Sequence, residues 1–476
     1  MQTFDAIIIG AGQAGPSLAA RLTAAGQTVA FIERKLFGGT CVNTGCTPTK
    51  AMIASAYAAH TARRAEDYGV SLKTGRESTS VEVDLSAVNA RRESIVAKSR
   101  TGVEKSLRDN PKITVFTGTA SLTSPTTVKV GTTELSAQKI FLNVGGRAVV
   151  PDLPGVHSVP FLTNSTLLDL NNLPEHLVIV GGSYIGIEFG QMFRRFGSRV
   201  TIVEKGPRLV GHEDEDVSAC VQSILEAEGI TIRTSAECIH LAPHASGISV
   251  GTNCKLDPAP IVGTHVLLAV GRTPNTQDLG LDKAGVIVDE RGYITVDDHC
   301  QTNIANIYAL GDCNGRGAFT HTAYNDYEIV AANLLKDTSS EASSDQSDRR
   351  ISDRIPCYAM YLDPPLARIG LTETQVRDRA RSTGKKALIA TRPMSRVNRA
   401  VEKGESLGFM KVLVDAETHK ILGASLLGVG CDEAIHCLLD IMYANAPYTT
   451  ISRAVHIHPT VSELIPTLLQ SLKPLE

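Results

Sequence analysis

The chain has 476 residues, 42% hydrophobic and 20% charged, with a formal net charge of -3. That length allows roughly two to four domains with ample core, and the near-neutral balance excludes a basic nucleic-acid binder. Ten cysteines are too few for a disulfide scaffold and point to a reducing, cytoplasmic setting in which one pair is chemically special.

The apolar stretch Ala6 to Gly15 has no basic segment before it and is punctuated by glycines, so it reads as a buried strand and not a signal peptide. No apolar run is long enough to span a bilayer. The strand from Asp5 enters Gly10-Ala11-Gly12-Gln13-Ala14-Gly15, followed by a predicted helix from Pro16 to Ala25 and a strand from Thr28 to Ile32 that ends in Glu33. Strand, three glycines, helix, strand and acid in this order are a dinucleotide fingerprint. Gly10, Gly12 and Gly15 let the backbone approach a pyrophosphate at the helix N-terminus. Glu33 is placed to accept from a ribose hydroxyl.

Next come Gly38-Gly39-Thr40-Cys41-Val42-Asn43-Thr44-Gly45-Cys46-Thr47-Pro48-Thr49-Lys50. Residues five apart on a helix point about 140° away from each other. A Cys41–Cys46 bridge therefore needs a distorted turn, for which Gly45 and Asn43 can supply unusual angles. Such a bridge would be reducible. Pro48 suits the first turn of a helix, which puts Cys46 at a helix N-terminus, where the dipole favours its thiolate. Half a zinc site or two buried thiols are the other readings, and no second ligand pair stands out for zinc.

The fingerprint recurs. Leu177 to Val180 is a strand, Gly181-Gly182-Ser183-Tyr184-Ile185-Gly186 the turn, a helix runs to about Phe196, and Val200 to Val203 leads to Glu204. Gly10 to Glu33 and Gly181 to Glu204 both span 23 residues, as two copies of one unit would. Ser183 replaces the middle glycine. Phe141-Leu142-Asn143-Val144-Gly145-Gly146-Arg147 echoes Leu267-Leu268-Ala269-Val270-Gly271-Arg272, and Ile307 to Leu310 leads into Gly311-Asp312. Residues 337 to 348 are serine-rich and aperiodic, the composition of an exposed linker.

From Ile355 the predicted strands are short: Cys357 to Tyr361, Gly408 to Val414 and Ile421 to Val429. Helices are predicted around Asp432 to Met442 and Ser462 to Leu472. Near the end stands His456-Ile457-His458-Pro459-Thr460-Val461-Ser462-Glu463. An imidazole titrates near neutral pH, so His458 can take a proton from a cysteine and return it to a leaving thiol, with Glu463 holding the other ring nitrogen. His456 reads as structural. Cys431, His436 and Cys437 do not share a helix face closely and read as packing, not as a metal site. Cys313 reads as an inert small hydrophobe. Arg396 and Arg399 form either a solvated face or a contact for an anion.

Gly-Gly-Thr-Cys-x-Asn-x-Gly-Cys-x-Pro-x-Lys resembles the redox centre of the flavoprotein disulfide reductases, which include glutathione reductase, dihydrolipoamide dehydrogenase and mercuric reductase. The likeness extends to His-Pro-Thr-x-x-Glu at His458. It implies an α/β fold of two Rossmann-like dinucleotide-binding domains, one nested in the other, and a C-terminal α+β dimerisation domain. The implied divisions are 1–151 with 276–336 for FAD, 152–275 for NAD(P)H, 337–350 as a flexible linker, and 351–476 as the interface. Tightly bound FAD would meet Gly39, Thr40, Lys50, Gly145, Gly311 and Asp312 besides the first fingerprint, with the Asp312 carboxylate on the ribityl chain. NAD(P)H would meet Gly181, Gly186, Glu204 and Gly271. An acid at Glu204 favours NADH, because a 2′-phosphate there would face a like charge, although Lys205 and Arg208 follow it.

The same resemblance implies a Cys41–Cys46 redox disulfide, with Cys46 as the charge-transfer thiol and Cys41 attacking the substrate. Lys50 and Glu188 would pair near the flavin, Tyr184 would move as nicotinamide enters, and His458 of one subunit would face Cys41 of the other in a homodimer. The acceptor is expected to be a small disulfide, metal ion or other oxidised molecule. Dihydrolipoamide dehydrogenase and mercury(II) reductase are the alternatives within the family, and a cysteine-independent oxidase or quinone reductase is the alternative outside it. No cysteine follows Cys437 and no N-terminal Cys-x-x-Cys domain is present, unlike typical mercuric reductases. The ending is closer to the mercuric-reductase-like group, to which the reactive-chlorine-resistance flavoprotein belongs. Neither nucleic acid nor membrane is an expected partner.

Overall fold

The computed structural model describes residues 1–71, 80–252, 260–335 and 348–476, with the two-residue strands Lys73–Thr74 and Glu77–Ser78 between the first two segments. Most of the predicted serine-rich linker lies outside the described residues.

A seven-stranded sheet forms the first unit. Its order is Ile113–Thr117, Val29–Glu33, Gln2–Ile9, Thr133–Leu142, Thr127–Val130 and Ala120–Ser124, with Ile307–Ala309 also pairing on Thr133–Leu142. Val29–Glu33 and Thr133–Leu142 flank Gln2–Ile9 in parallel. Their apolar runs suit strands covered on both faces. The return of the chain at Ile307 to pair with Ile140–Leu142 makes this sheet from two distant segments.

Between those segments lies a second parallel sheet, in the order Thr231–Arg233, Arg199–Val203, His176–Val180 and His265–Leu268. All five residues of His176–Val180 are buried. A small antiparallel sheet of His240–His244, Gly247–Gly251 and Ile261–Gly263 accompanies it. Gly146–Ala148 pairs antiparallel with Arg272–Pro274, so the chain leaves and re-enters the first unit through one two-stranded ribbon.

The C-terminal part is a six-stranded antiparallel sheet: Cys357–Met360, Leu366–Gly370, Ile421–Leu427, Phe409–Asp415, Ala387–Pro393 and Lys473–Pro474. The sequence reading omits Leu366–Gly370, Ala387–Pro393 and the helix Glu373–Thr383. Leu366–Gly370 hides its pattern because Arg368 sits inside it at 3% exposure, neutralised by acids from another unit. The predicted helix Asp432–Met442 is two pieces, Cys431–Ala434 and His436–Tyr443. The last helix shortens to Leu464–Leu469. Its start is delayed by a turn in which the Thr460 hydroxyl accepts the Glu463 N–H, and Lys473–Pro474 ends the chain as an edge strand on Ala387–Pro393.

Buried ion pairs join this sheet to the second unit. Arg368 reaches Glu213 at 2.7 Å and Asp214 at 3.2 Å. Lys411, 1% exposed, reaches Asp214, Asp216 and Glu373 at 3.2, 2.8 and 3.0 Å. Arg195 ties Glu228 at 2.7 Å and Asp363 at 2.5 Å. Charges this deep persist only when each is paired. No helix among the described residues is long and apolar enough to cross a membrane.

Candidate active site

The redox stretch folds as two helices, Gly39–Asn43 and Cys46–Arg63, joined at Gly45. Cys46 opens the longer helix, as Pro48 implies. Gly38 and Gly39 carry the positive φ angles, +93° and +61°. Asn43 does not supply an unusual angle, since it is helical. Instead its amide donates to the Phe37 and Gly39 carbonyls, both at 2.9 Å, and its carbonyl accepts from Arg100 Nε at 2.7 Å. A Cβ on Gly45 would come within 2.9 Å of the Thr40 carbonyl oxygen, so the turn between the cysteines needs glycine there.

Cys41 and Cys46 are free thiols in this structure, the reduced form of the pair. Their hydrogen bond to each other divides them: it lowers Cys46 and raises Cys41. Cys46 is brought down to about 6 by the Cys41 thiol, helped by the Thr320 hydroxyl and the Lys50 ammonium against the cost of burial. The Thr320 hydroxyl lies 3.2 Å from Cys46 Sγ. Cys46, at a helix N-terminus, is thus the thiol shifted toward thiolate, and Cys41 the one shifted away from it. Thr320 lies 274 residues from Cys46, and no sequence signal singled it out. Cys238 is disulfide-bonded elsewhere in the chain.

Lys50 Nζ meets Glu188 Oε2 at 2.7 Å, with Glu188 5% exposed. The other Glu188 oxygen accepts the Tyr361 N–H at 2.9 Å, and Lys50 sits 4.8 Å from the Tyr361 ring centroid. One buried carboxylate thus joins the redox helix, the second unit and the C-terminal sheet. Tyr184 begins the helix Tyr184–Phe196. Its ring lies 6.0 Å from Phe319, which stacks on Tyr358 at 5.5 Å.

Both nucleotide turns are built as predicted. A Cβ on Gly10 would fall 2.2 Å from the Asn143 carbonyl oxygen, and one on Gly15 would fall 2.4 Å from that of Gly10. Glu33 accepts the Ala11 N–H at 2.8 Å and the Lys35 N–H at 2.7 Å. In the second turn a Cβ on Gly181 would fall 2.4 Å from the Ala269 carbonyl oxygen, and one on Gly186 would fall 2.1 Å from that of Gly181. Glu204 accepts the Gly182 and Gly206 N–H groups, both at 2.6 Å. Each carboxylate has lone pairs left for a ribose. Bare turns at helix N-termini, each with an acid at the next strand end, fit two dinucleotides.

Gly145 and Gly271 take positive φ, +65° and +120°, at the two ends of the ribbon. Gly311 donates its N–H to buried Asp326 at 2.7 Å. Asp312 lies 3.6 Å from Arg272, and burial raises its carboxyl above the usual range.

His458 and Glu463 are together: Nδ1 lies 2.9 Å from Glu463 Oε2. They are not joined to the cysteines within the chain, since no hydrogen bond links His458 to Cys41 or Cys46 among the described residues. The His458 side chain is 68% exposed, between Ile457 at 80% and close to Val455 at 99%. His456 Nδ1 lies 2.9 Å from the Ser462 carbonyl, the structural task expected of it. Among the described residues no group of three or more histidine, cysteine or acidic residues could hold a metal ion.

Comparison with known proteins places these features together. Residues 4–326 match the pyridine nucleotide-disulphide oxidoreductase family, and residues 357–469 match that family's dimerisation domain. The probable pyridine nucleotide-disulfide oxidoreductase RclA of Escherichia coli (strain K12) is 35% identical, over 99% of this chain and 100% of its own. The dihydrolipoyl dehydrogenase of Chlamydia muridarum is 31% identical, over 97% of this chain and 95% of its own. A solved structure described as a Cu(II) complex of the HOCl-induced flavoprotein disulfide reductase RclA from Escherichia coli superposes with a TM-score of 0.87 at 33% identity, covering 99% of each chain.

Proposed function

Because the chain belongs to the pyridine nucleotide-disulphide oxidoreductases, an enzyme family that uses FAD and NAD(P)H, we propose that Cys41 and Cys46 deliver its electrons to a small disulfide, a metal ion or another oxidised acceptor. FAD, when bound, would supply the two-electron relay between the nicotinamide and this cysteine pair. The observation that carries the reading is the placement of the pair: Cys46 opens the helix Cys46–Arg63 with the Thr320 hydroxyl 3.2 Å from its sulfur, and Lys50 on the next turn is fixed by Glu188 at 2.7 Å.

Each residue has a stated task. Gly10, Gly12, Gly15, Glu33, Gly39, Thr40, Gly145, Gly311 and Asp312 hold the flavin nucleotide, and Gly181, Gly186, Glu204 and Gly271 hold the nicotinamide nucleotide. Lys50, fixed by Glu188, keeps positive charge beside Cys46. Tyr184 yields to the incoming nicotinamide. Cys41 keeps its proton and needs a base before it can attack. His458, oriented by Glu463, is that base, and its exposure in an apolar patch of the dimerisation segment supports supply across a homodimer interface, to the other subunit's Cys41. Cys41 sulfur then bonds to one sulfur of the acceptor disulfide, and the released thiolate takes the proton from His458. Cys46 thiolate next displaces the second acceptor thiolate from Cys41, which closes the Cys41–Cys46 bond. The division into 1–151 with 276–336, 152–275 and 351–476 belongs to the same proposal.

Mixing a Cys41→Ser chain with a His458→Ala chain tests it. Each homodimer should lack disulfide reduction, and the mixed dimer, with one intact site, should recover it. A mixture that stays inactive after verified subunit exchange would place the base within the same chain. A Cys41→Ser homodimer with full turnover of its best acceptor would favour the cysteine-independent quinone reductase.

A further inference from the structure

We infer that a cleft on the dimerisation sheet is an anion subsite that holds a carboxylate, or a group of like charge, on the electron acceptor while His458 serves the reacting sulfur. The inference rests on the electron-transfer reading above. The cleft has a volume of about 340 Å³, and Arg392, Arg396, Asn398, His456 and Glu463 are among its lining residues. It therefore shares Glu463 with the His458 pair, which puts it beside the catalytic base.

Its charges are unbalanced. Elsewhere on this sheet and its helices, Arg368, Arg377, Arg379 and Arg399 each reach a carboxylate. Among the described residues the Arg392 guanidinium donates only to the Arg396 carbonyl, at 2.8 and 3.2 Å. The Arg396 guanidinium has neither hydrogen bond nor ion pair among the described residues. The one carboxylate in the lining, Glu463, is already held against His458. His456 must carry its proton on Nδ1, because the Ser462 carbonyl only accepts. The same bond fixes the backbone next to Glu463. The Arg396 fork and the remaining edge of the Arg392 guanidinium, neither facing an acid of its own, match a planar carboxylate, and the volume suits a short-chain ligand. Arg396, ambiguous in the sequence, thereby gains a task.

The experiment uses the holoenzyme and an Arg392→Gln/Arg396→Gln variant. Turnover with NADH is compared for dianionic dithiodipropionate and neutral hydroxyethyl disulfide, and sulfate binding is followed through the His456 imidazole resonance. The expected result is a fall of about tenfold in the kcat/KM ratio of the charged over the neutral acceptor. Sulfate should compete with dithiodipropionate, and its saturable shift of His456 should vanish in the variant. An unchanged ratio, or the absence of a saturable sulfate shift in the parent, overturns the subsite. A variant that falls into monomers yet keeps the sulfate response also overturns it, since the guanidiniums would then serve the subunit contact. Sulfate binding without turnover of either disulfide would instead sink the electron-transfer reading and leave the anion site standing.

Discussion

The two nucleotide turns share one backbone and differ in what presses on it. Gly10 N–H donates to the Ile32 carbonyl and Gly181 N–H to that of Val203, both at 2.8 Å, and Asn143 and Ala269 follow equivalent strands with N–H bonds to Ile9 and Val180, both at 2.8 Å. The first turn is further locked. The Asn143 amide donates to the Gly10 and Gly12 carbonyls at 3.0 and 3.1 Å, and a Cβ on Gly39 would lie 2.7 Å from Gly12 Cα. The Ala269 side chain has no amide to offer, and Ser183 stands exposed where Gly12 is half-buried. A Cβ at the middle position would press on the Asn143 amide, 3.3 Å away, while the close approach of the redox loop demands glycine at Gly39. Both turns are held on one side by a following loop, Gly38 N–H donating to the Ala11 carbonyl at 3.0 Å and Val210 N–H to that of Gly182 at 2.9 Å; the Asn143 amide adds a second hold to the first turn, which suits a cofactor that stays.

The comparison breaks most directly at Gly10 and Gly181. Gly10→Ala should leave the purified protein without flavin absorbance, because the methyl meets backbone that cannot move and φ is +106°. Gly181→Ala should retain flavin but lose most NADH turnover. Flavin loss in both would mean the units are not independent. Asn143→Ala makes the first turn resemble the second, and removing two buried hydrogen bonds should cost about 2 kcal/mol. Urea unfolding and the rate of flavin release measure it, and an unchanged release rate would disprove the lock.

A smaller effect is expected at Glu204. Arg208 donates through Nη2 to the Gly211 and Glu213 carbonyls, and Glu204 is the acid at the strand end placed to act on the ribose. NADH should be preferred, and Glu204→Ala should shift the kcat/KM ratio toward NADPH by about tenfold. A parent that favours NADPH would assign control to Lys205 and Arg208. The smallest effect concerns Cys46. A thiol gains charge as pH rises, so the thiolate absorbance of the reduced protein should appear above about pH 6 and vanish below it. Thr320→Val should move that midpoint upward, and a midpoint unmoved by the substitution would remove Thr320 from the site.

Glycine spacing made both nucleotide units legible in the sequence, because a close backbone approach admits no other residue at Gly10, Gly15, Gly181 and Gly186. The cysteine pair and the His458–Glu463 pair were legible for the same local reason. What stayed hidden depends on distant partners. Thr320 gives no sign of Cys46. Arg368 in a buried strand looks like a break until Glu213 and Asp214 arrive from another unit, and Asn143 looks like a departure until its amide meets Gly10 and Gly12. Asn43, read for its backbone, serves through its side chain.

The buried seam of Arg368, Lys411 and Arg195 with their acids has a consequence for how nucleotide enters. A unit riveted to the dimerisation part at Glu213, Asp214, Asp216 and Arg195 cannot swing shut over its ligand as a lid does. Breaking those pairs would strand charges in the interior. On the function proposed above, the route opens by rotation of side chains, Tyr184 against Phe319 foremost. Entry and departure then run on the fast clock of a turning ring and not on the slow one of hinge closure.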